Sequence, residues 1–118
     1  MKTLNIGQDF SLDPSGRYRS DGEGNGEAFR EDKLKPAIES LEQGEILQII
    51  LDDGVEGYGS SFLTEGFAGM VKHGYQTSDD LLSKIEISYS NDDFSFYKDK
   101  ILDYIKQANF NSQIYTPE

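Results

Sequence analysis

One stretch sets the architecture of this chain: Ile46-Leu47-Gln48-Ile49-Ile50-Leu51-Asp52-Asp53-Gly54-Val55-Glu56-Gly57-Tyr58-Gly59-Ser60-Ser61-Phe62-Leu63. Residues 46–51 are β-branched or leucine except for Gln48, and they place apolar side chains on both faces of an extended segment. That pattern predicts a central strand covered on both sides. The run is far too short to span a bilayer. Residues 52–59 are acidic and punctuated by glycine, which predicts a loop. From 61 to 72 the sequence reads as a helix, with Leu63, Phe67, Met70 and Val71 as its apolar stripe. Gly66 and Gly69 leave room for close packing on a sheet, and Gly74 ends the helix.

Upstream, residues 27–43 read as helix, because Leu34, Ala37, Ile38 and Leu41 recur at the helical spacing. Pro36 inside that run predicts two short helices or one kinked helix, and Gly44 a stop. Residues 3–10 alternate loosely around Leu4, Ile6 and Phe10, as a first strand or hairpin arm with a bulge or bend at Gly7. Downstream, Thr77-Ser78-Asp79-Asp80 is a helix-start signature. Residues 84–89 alternate as a half-buried strand, and Ser90 and Asp93 form a candidate capping box. The last helix carries Phe94, Tyr97, Ile101, Ile105 and Ala108 along one face, and residues 111–118 read as a frayed tail. Strand, broken helix, strand, helix, strand, helix is the order of an α/β domain with a small mixed or parallel sheet. A chain of 118 residues at 36% hydrophobic supports one core, so residues 1–118 are expected to form a single domain.

Charge narrows the function. Twenty-two acidic residues against 11 Lys and Arg give a formal charge of −11, and a field of that sign repels phosphate backbones and anionic membrane surfaces alike. Neither nucleic acid nor membrane is expected as a partner. With no cysteine there is no disulfide framework and no thiol nucleophile, which suits the cytoplasm. Met1-Lys2-Thr3 leads directly into a polar segment, so no signal peptide is expected.

Several motifs invite chemistry. The run Asp21-Gly22-Glu23-Gly24-Asn25-Gly26-Glu27 lacks the Gly-Lys-Ser/Thr ending of a phosphate loop. Asp21, Glu23, Asn25, Gly26 and Asp32 fall at calcium-loop positions, but no helix precedes them and Asp stands where such a loop has Glu. A metal site built from Asp21, Glu23, Asn25 and Asp52, with Asp53 and Glu65 in reach, requires the Gly-rich loop to converge with the loop after the central strand. It stands as the alternative to a binding role. His73, the one histidine, has no nucleophile elbow beside it, since Gly59-Ser60-Ser61-Phe62-Leu63 lacks the second glycine. Ser60 or Ser61 is expected to cap the helix that follows, and either could accept a phosphate, whose charge the free N–H groups would favour and nearby Asp52, Asp53 and Glu56 would oppose.

Beyond single motifs, Gly16-Arg17-Tyr18, Asp21-Gly22, Gly26-Glu27-Ala28-Phe29-Arg30, Leu34-Lys35-Pro36, Val55 and Ser60-Ser61-Phe62-Leu63-Thr64-Glu65-Gly66-Phe67 together resemble the STAS-like family of bacterial proteins, relatives of the anti-sigma factor antagonists. The resemblance runs over roughly residues 14–105. It implies a STAS-type fold, a small sheet with helices mainly on one side, and a non-enzymatic regulatory role without a cofactor. In antagonists a serine opening the helix after a central strand is phosphorylated by a histidine-kinase-like ATPase, which is also the binding partner. Carried over, Ser60 is the candidate phosphoacceptor with Ser61 its neighbour, and Asp53, Glu56, Tyr58 and Phe62 would shape the contact surface. Gly59 precedes the serine pair and Phe62 follows it, where antagonists typically have Asp and Gly.

Overall fold

The computed structural model describes residues 2–117; Met1, and Glu118 of the expected frayed tail, lie outside the described residues. Three strands, β1 (Lys2–Asn5), β2 (Leu47–Ile50) and β3 (Ile85–Ser88), pair in parallel in that spatial order. Their register aligns Leu4, Ile49 and Ile87 in one row and Thr3, Gln48 and Glu86 in the next. Side chains alternate across a strand, so these rows face opposite ways. Leu4, Ile49 and Ile87 are buried. On the other face Thr3 and Glu86 are exposed, and Gln48 accepts from the Thr3 hydroxyl (3.4 Å) while its amide donates to Ser88 Oγ (3.1 Å). The central strand is therefore covered on one side, not on both. Ile46 and Leu51 fall outside the paired residues, and what remains alternates.

β1 ends at Asn5, earlier than its alternation suggests. The Asn5 side chain accepts from the Gln8 N–H and caps a single turn, α1 (Ile6–Asp9). Gly7 lies inside this turn, where a Cβ would clash with the Asp53 carbonyl oxygen. The first crossover contains a 3-10 turn (Arg19–Asp21), then α2 (Gly26–Phe29), a π-helical turn (Arg30–Leu34) and α3 (Lys35–Glu39) as one uninterrupted helical run. Pro36 lacks an N–H and disfavours the preceding α-helical hydrogen bond. The π turn accommodates this locally, as Lys35 N–H reaches back five residues to Arg30. The second crossover repeats the plan: α4 (Ser60–Leu63), a π turn (Thr64–Ala68) and α5 (Gly69–Lys72), followed by α6 (Ser78–Lys84). Thr77 caps α6 by accepting from the Asp80 N–H at 3.1 Å, as its start signature implies.

Both crossovers advance across the sheet in the same direction, and right-handed connections then place both on the same face. α7 (Ser95–Gln107) closes the helical layer, burying Ile101 and Ile105. Ser90 does not cap the segment before it. Asn91 does, accepting from the Asp93 N–H, because the Ser90 and Asn91 N–H groups are taken by Asp52. The core centres on Phe29, with Phe62 and Phe67 at centroid distances of 5.4 and 5.3 Å. The helix glycines pack helix on helix, not on the sheet. A Cβ on Gly26 would lie 2.8 Å from the Phe62 carbonyl oxygen, and one on Gly66 would lie 3.0 Å from the Phe29 ring. Among the described residues no helix is long and apolar enough to cross a membrane.

Candidate functional site

β2 delivers the chain to the carboxyl edge of the sheet, where ligand-binding loops of open parallel sheets gather. The loop 52–59 begins there with Asp52, whose carboxylate accepts from Ser90 N–H (2.8 and 3.0 Å) and Asn91 N–H (2.7 Å). Asp52 thus ties the ends of β2 and β3 together. Asp53 is exposed but engaged from the other side, accepting from Asn5 Nδ2 at 2.7 Å and Gln8 Nε2 at 3.4 Å. Glu56 projects into solvent. The loop is folded down by Val55 and Tyr58, both buried, and the Tyr58 hydroxyl donates to the Leu51 carbonyl at 2.6 Å. Burial, with Asp52 nearby, pushes the Tyr58 phenol far above its ordinary range.

The loop ends on Gly59, which is the N-cap of α4 with extended backbone and no side chain to offer. Neither Ser60 nor Ser61 caps the helix. They occupy its first two positions, where the hydroxyls do not reach the free N–H groups, and neither hydroxyl has a hydrogen-bond partner among the described residues. Ser60 is exposed and Ser61 half-buried. Beside Ser60 lies a cleft of about 240 Å³ walled by Tyr58, Leu63, Phe96, Tyr97, Lys100 and Tyr104, and Phe96 stands 59% exposed at its rim with Lys100 over its ring. Phe62 is fully buried against Phe10, Phe29 and Tyr58. It belongs to the core and cannot serve as a surface contact. Tyr58 reaches the surface only as the cleft wall. Of the six residues, the structure brings Ser60, Ser61, Asp53 and Glu56 to the outside. Phe96 and Lys100, supplied by α7, were missed because nothing local in the sequence links α7 to α4.

The alternative metal set is not assembled. Asp21 accepts from the N–H groups of Arg17 and Tyr18 (both 2.9 Å), which hold its carboxyl below the usual range. Asn25 caps α2 and donates to the Gly22 carbonyl. Asp32 forms a two-pronged pair with Arg19, and Glu23 is exposed. Asp52 is spent on β3. Among the described residues no group of three or more His, Cys, Asp or Glu side chains could hold a metal ion.

A different cluster of charges lies in the interior. Arg30 is fully buried; its Nε donates to Glu31 at 2.7 Å, and its Nη1 donates to the Glu65 carbonyl (2.9 Å) and carboxylate. Burial alone would lower the Arg30 pKa, but these two carboxylates outweigh it and the net shift is upward. Glu65 also faces Arg17 and His73, each at 3.6 Å. Glu27, buried, accepts from the Arg19 N–H at 3.0 Å and the Tyr115 hydroxyl at 2.6 Å. Burial works to raise Glu27, and the Tyr115 and Arg19 hydrogen bonds overcome it and hold the carboxyl below its ordinary value. Tyr75 donates to Glu31 at 2.8 Å, and burial followed by that bond pushes its phenol up to about 12. Two sequence signals mark this cluster: Glu65 is the one charge between Phe62 and Val71, and Arg30 precedes Leu34 and Ile38 on the core-facing side of its helix.

A three-stranded parallel sheet with one helical layer defines a small α/β domain. The chain belongs to the family described as STAS-like domain of unknown function (DUF4325), whose model matches residues 25–93. That span runs from the cap of α2 to the turn after β3 and includes the serine pair and the Arg30–Glu65 cluster. Comparison with curated proteins and with solved structures finds no match.

Proposed function

We propose that this chain is a cytoplasmic regulatory module that binds a protein partner at the surface around the start of α4, and that phosphorylation of Ser60 switches the contact. Membership of a STAS-like family supports a regulatory, protein-binding role, since such domains are generally non-enzymatic. The observation that carries the reading is the Ser60 hydroxyl: exposed, without a hydrogen-bond partner, in the first helical residue beyond the central strand. Phe96 and Lys100 of α7 line the same cleft as Ser60, and Asp53 and Glu56 are exposed on the loop that leads to it. The exposed Phe96 beside a cleft is the kind of aromatic anchor that protein interfaces use.

A phosphate adds a charge of about −1.5 to −2 at neutral pH. The nearest acidic loop residues oppose it less than their number suggests, because Asp52 and Asp53 are turned toward donors of their own, while Lys100 lines the same cleft. The main effect of the phosphate is on the surface a partner reads, not on the fold. The partner class is taken from the resemblance to the antagonists: a histidine-kinase-like ATPase. The test is incubation with ATP and a histidine-kinase-like ATPase from the same genome, with the phosphate mapped by mass spectrometry. Modification at Ser60, abolished in Ser60→Ala, is the expected result. A chain that stays unmodified and forms no complex overturns the reading.

A further inference from the structure

We infer that Arg30 anchors a second binding site, for a small oxyanion such as a carboxylate or phosphate, and that segment 111–116 is its lid. Arg30 is completely buried, yet its Nη2 has no hydrogen-bond partner, the one such buried side-chain atom among the described residues. The guanidinium borders a cavity of about 240 Å³ whose other walls include Tyr18, Glu27, Glu65, His73 and Tyr115. The acceptors in these walls are already engaged. Glu27 accepts from Arg19 N–H and the Tyr115 hydroxyl, and Glu65 from Arg30 Nη1, with Arg17 and His73 beside it. The unmet bonding capacity is that of a charged donor, so the fitting ligand is an acceptor of negative charge. Arg17, Arg19 and Arg30 face Glu27, Glu31, Glu65 and Asp32, so positive charge is concentrated here on a molecule of formal charge −11.

The lid is built from a segment with neither helix nor strand. Asn111 N–H donates to the Val71 carbonyl (2.9 Å) and Gln113 N–H to the Lys72 carbonyl (3.0 Å). His73 Nδ1 lies 3.0 Å from the Gln113 carbonyl, which as an acceptor requires the proton on that nitrogen. Tyr115 then crosses the cavity, its ring 4.9 Å from Arg30 Cζ and edge-on to His73, its hydroxyl on Glu27. Because Arg30 has no exposed surface, an oxyanion reaches Nη2 only when Tyr115 lifts. A buried charged donor without a protein partner is costly, so the closed lid carries a penalty that a bound oxyanion removes. Ile114, 93% exposed between two anchored residues, gives the segment no core contact to hold it shut.

This site is separate from the Ser60 surface, and its test does not depend on a partner. The full chain, labelled with 15N-arginine, is titrated by NMR with acetate and with inorganic phosphate, against chloride at equal ionic strength. A saturable shift of the Arg30 guanidinium signals, with several-fold tighter binding in Tyr115→Ala, is expected; acetate or phosphate answering alone identifies the ligand class. Arg30 signals unmoved by both anions in both proteins overturn the site, as does a response confined to the half-buried Arg17 and the exposed Arg19. Equal affinity in the two proteins overturns the lid.

Discussion

Gly69 is confined to hydrogen by Arg30. A Cβ there would lie 2.6 Å from Nη1 and 2.9 Å from Cδ of a side chain that Glu31 and Glu65 hold in place. Gly69→Ala gains about 1 kcal/mol of helix propensity but overpacks a buried site at a cost of about 1–3 kcal/mol. A net loss of stability in urea unfolding is expected, and a raised midpoint would show that the guanidinium is free to move. Asp52 is the second decisive residue. Asp52→Ala strands two N–H groups at the end of β3 and is expected to destabilise by about 1–2 kcal/mol, read from chemical denaturation. Neither dependence is visible in sequence. Gly69 reads as a weak point of its own helix and Asp52 as one acid among several, because the partners that define them lie 39 and 38 residues away along the chain. The exposure of Ser60 was legible from its place between a Gly-punctuated loop and an apolar stripe, but the capping role expected of the serine pair was not, because Gly59 takes the cap. The burial of Phe62, two residues beyond Ser60, was not separable from exposure until the helix phase was known.

At the scale of elements, periodicity marked β2, β3 and α7 to within a residue or two, because their apolar pattern is dense or alternating, whereas α6 announced itself only by its start signature at Thr77. Periodicity failed where tertiary contact overrides pattern. β1 stops at Asn5 because that side chain caps α1, and the loosely alternating Ile6 and Phe10 serve a turn instead of a strand. The two π turns were illegible because each lies within an otherwise helical apolar pattern, and only Pro36 hinted at one of them. The cap of α4 is the element with the sharpest consequence. Since Gly59 occupies the cap and the serine hydroxyls have no hydrogen-bond partner among the described residues, Ser60→Ala should leave stability within about 0.5 kcal/mol of the parent chain. A helix-capping serine would instead cost about 1 kcal/mol on removal. Thermal unfolding of the variant distinguishes a hydroxyl kept for the surface from one kept for the helix.

For the whole molecule, acid sensitivity follows from three carboxyls held below their ordinary values: Asp21 and Asp32, ordinarily 3.8, and Glu27, ordinarily 4.5. Each binds protons more readily unfolded than folded, so its contribution is complete above the unfolded value and is lost as pH falls through the folded one. The melting temperature should therefore fall as pH drops below about 4.5, most of all through Glu27, whose buried carboxylate links Tyr115 and Arg19. Glu27→Gln should flatten that acid limb, and an unchanged limb would show that the lid contacts do not set it. The overall charge of −11 makes the few exposed cations informative, and Lys100 beside Ser60 is one of them. The surface account is tested most directly by calorimetric titration of a histidine-kinase-like ATPase from the same genome into the parent chain, Ser60→Asp, and Glu86→Lys on the far face of the sheet. The account predicts that the parent chain and Glu86→Lys bind alike while Ser60→Asp is weakened by at least about tenfold, or about 1.4 kcal/mol. Equal binding by Ser60→Asp, or loss of binding in Glu86→Lys alone, would contradict it and move the interface to the sheet.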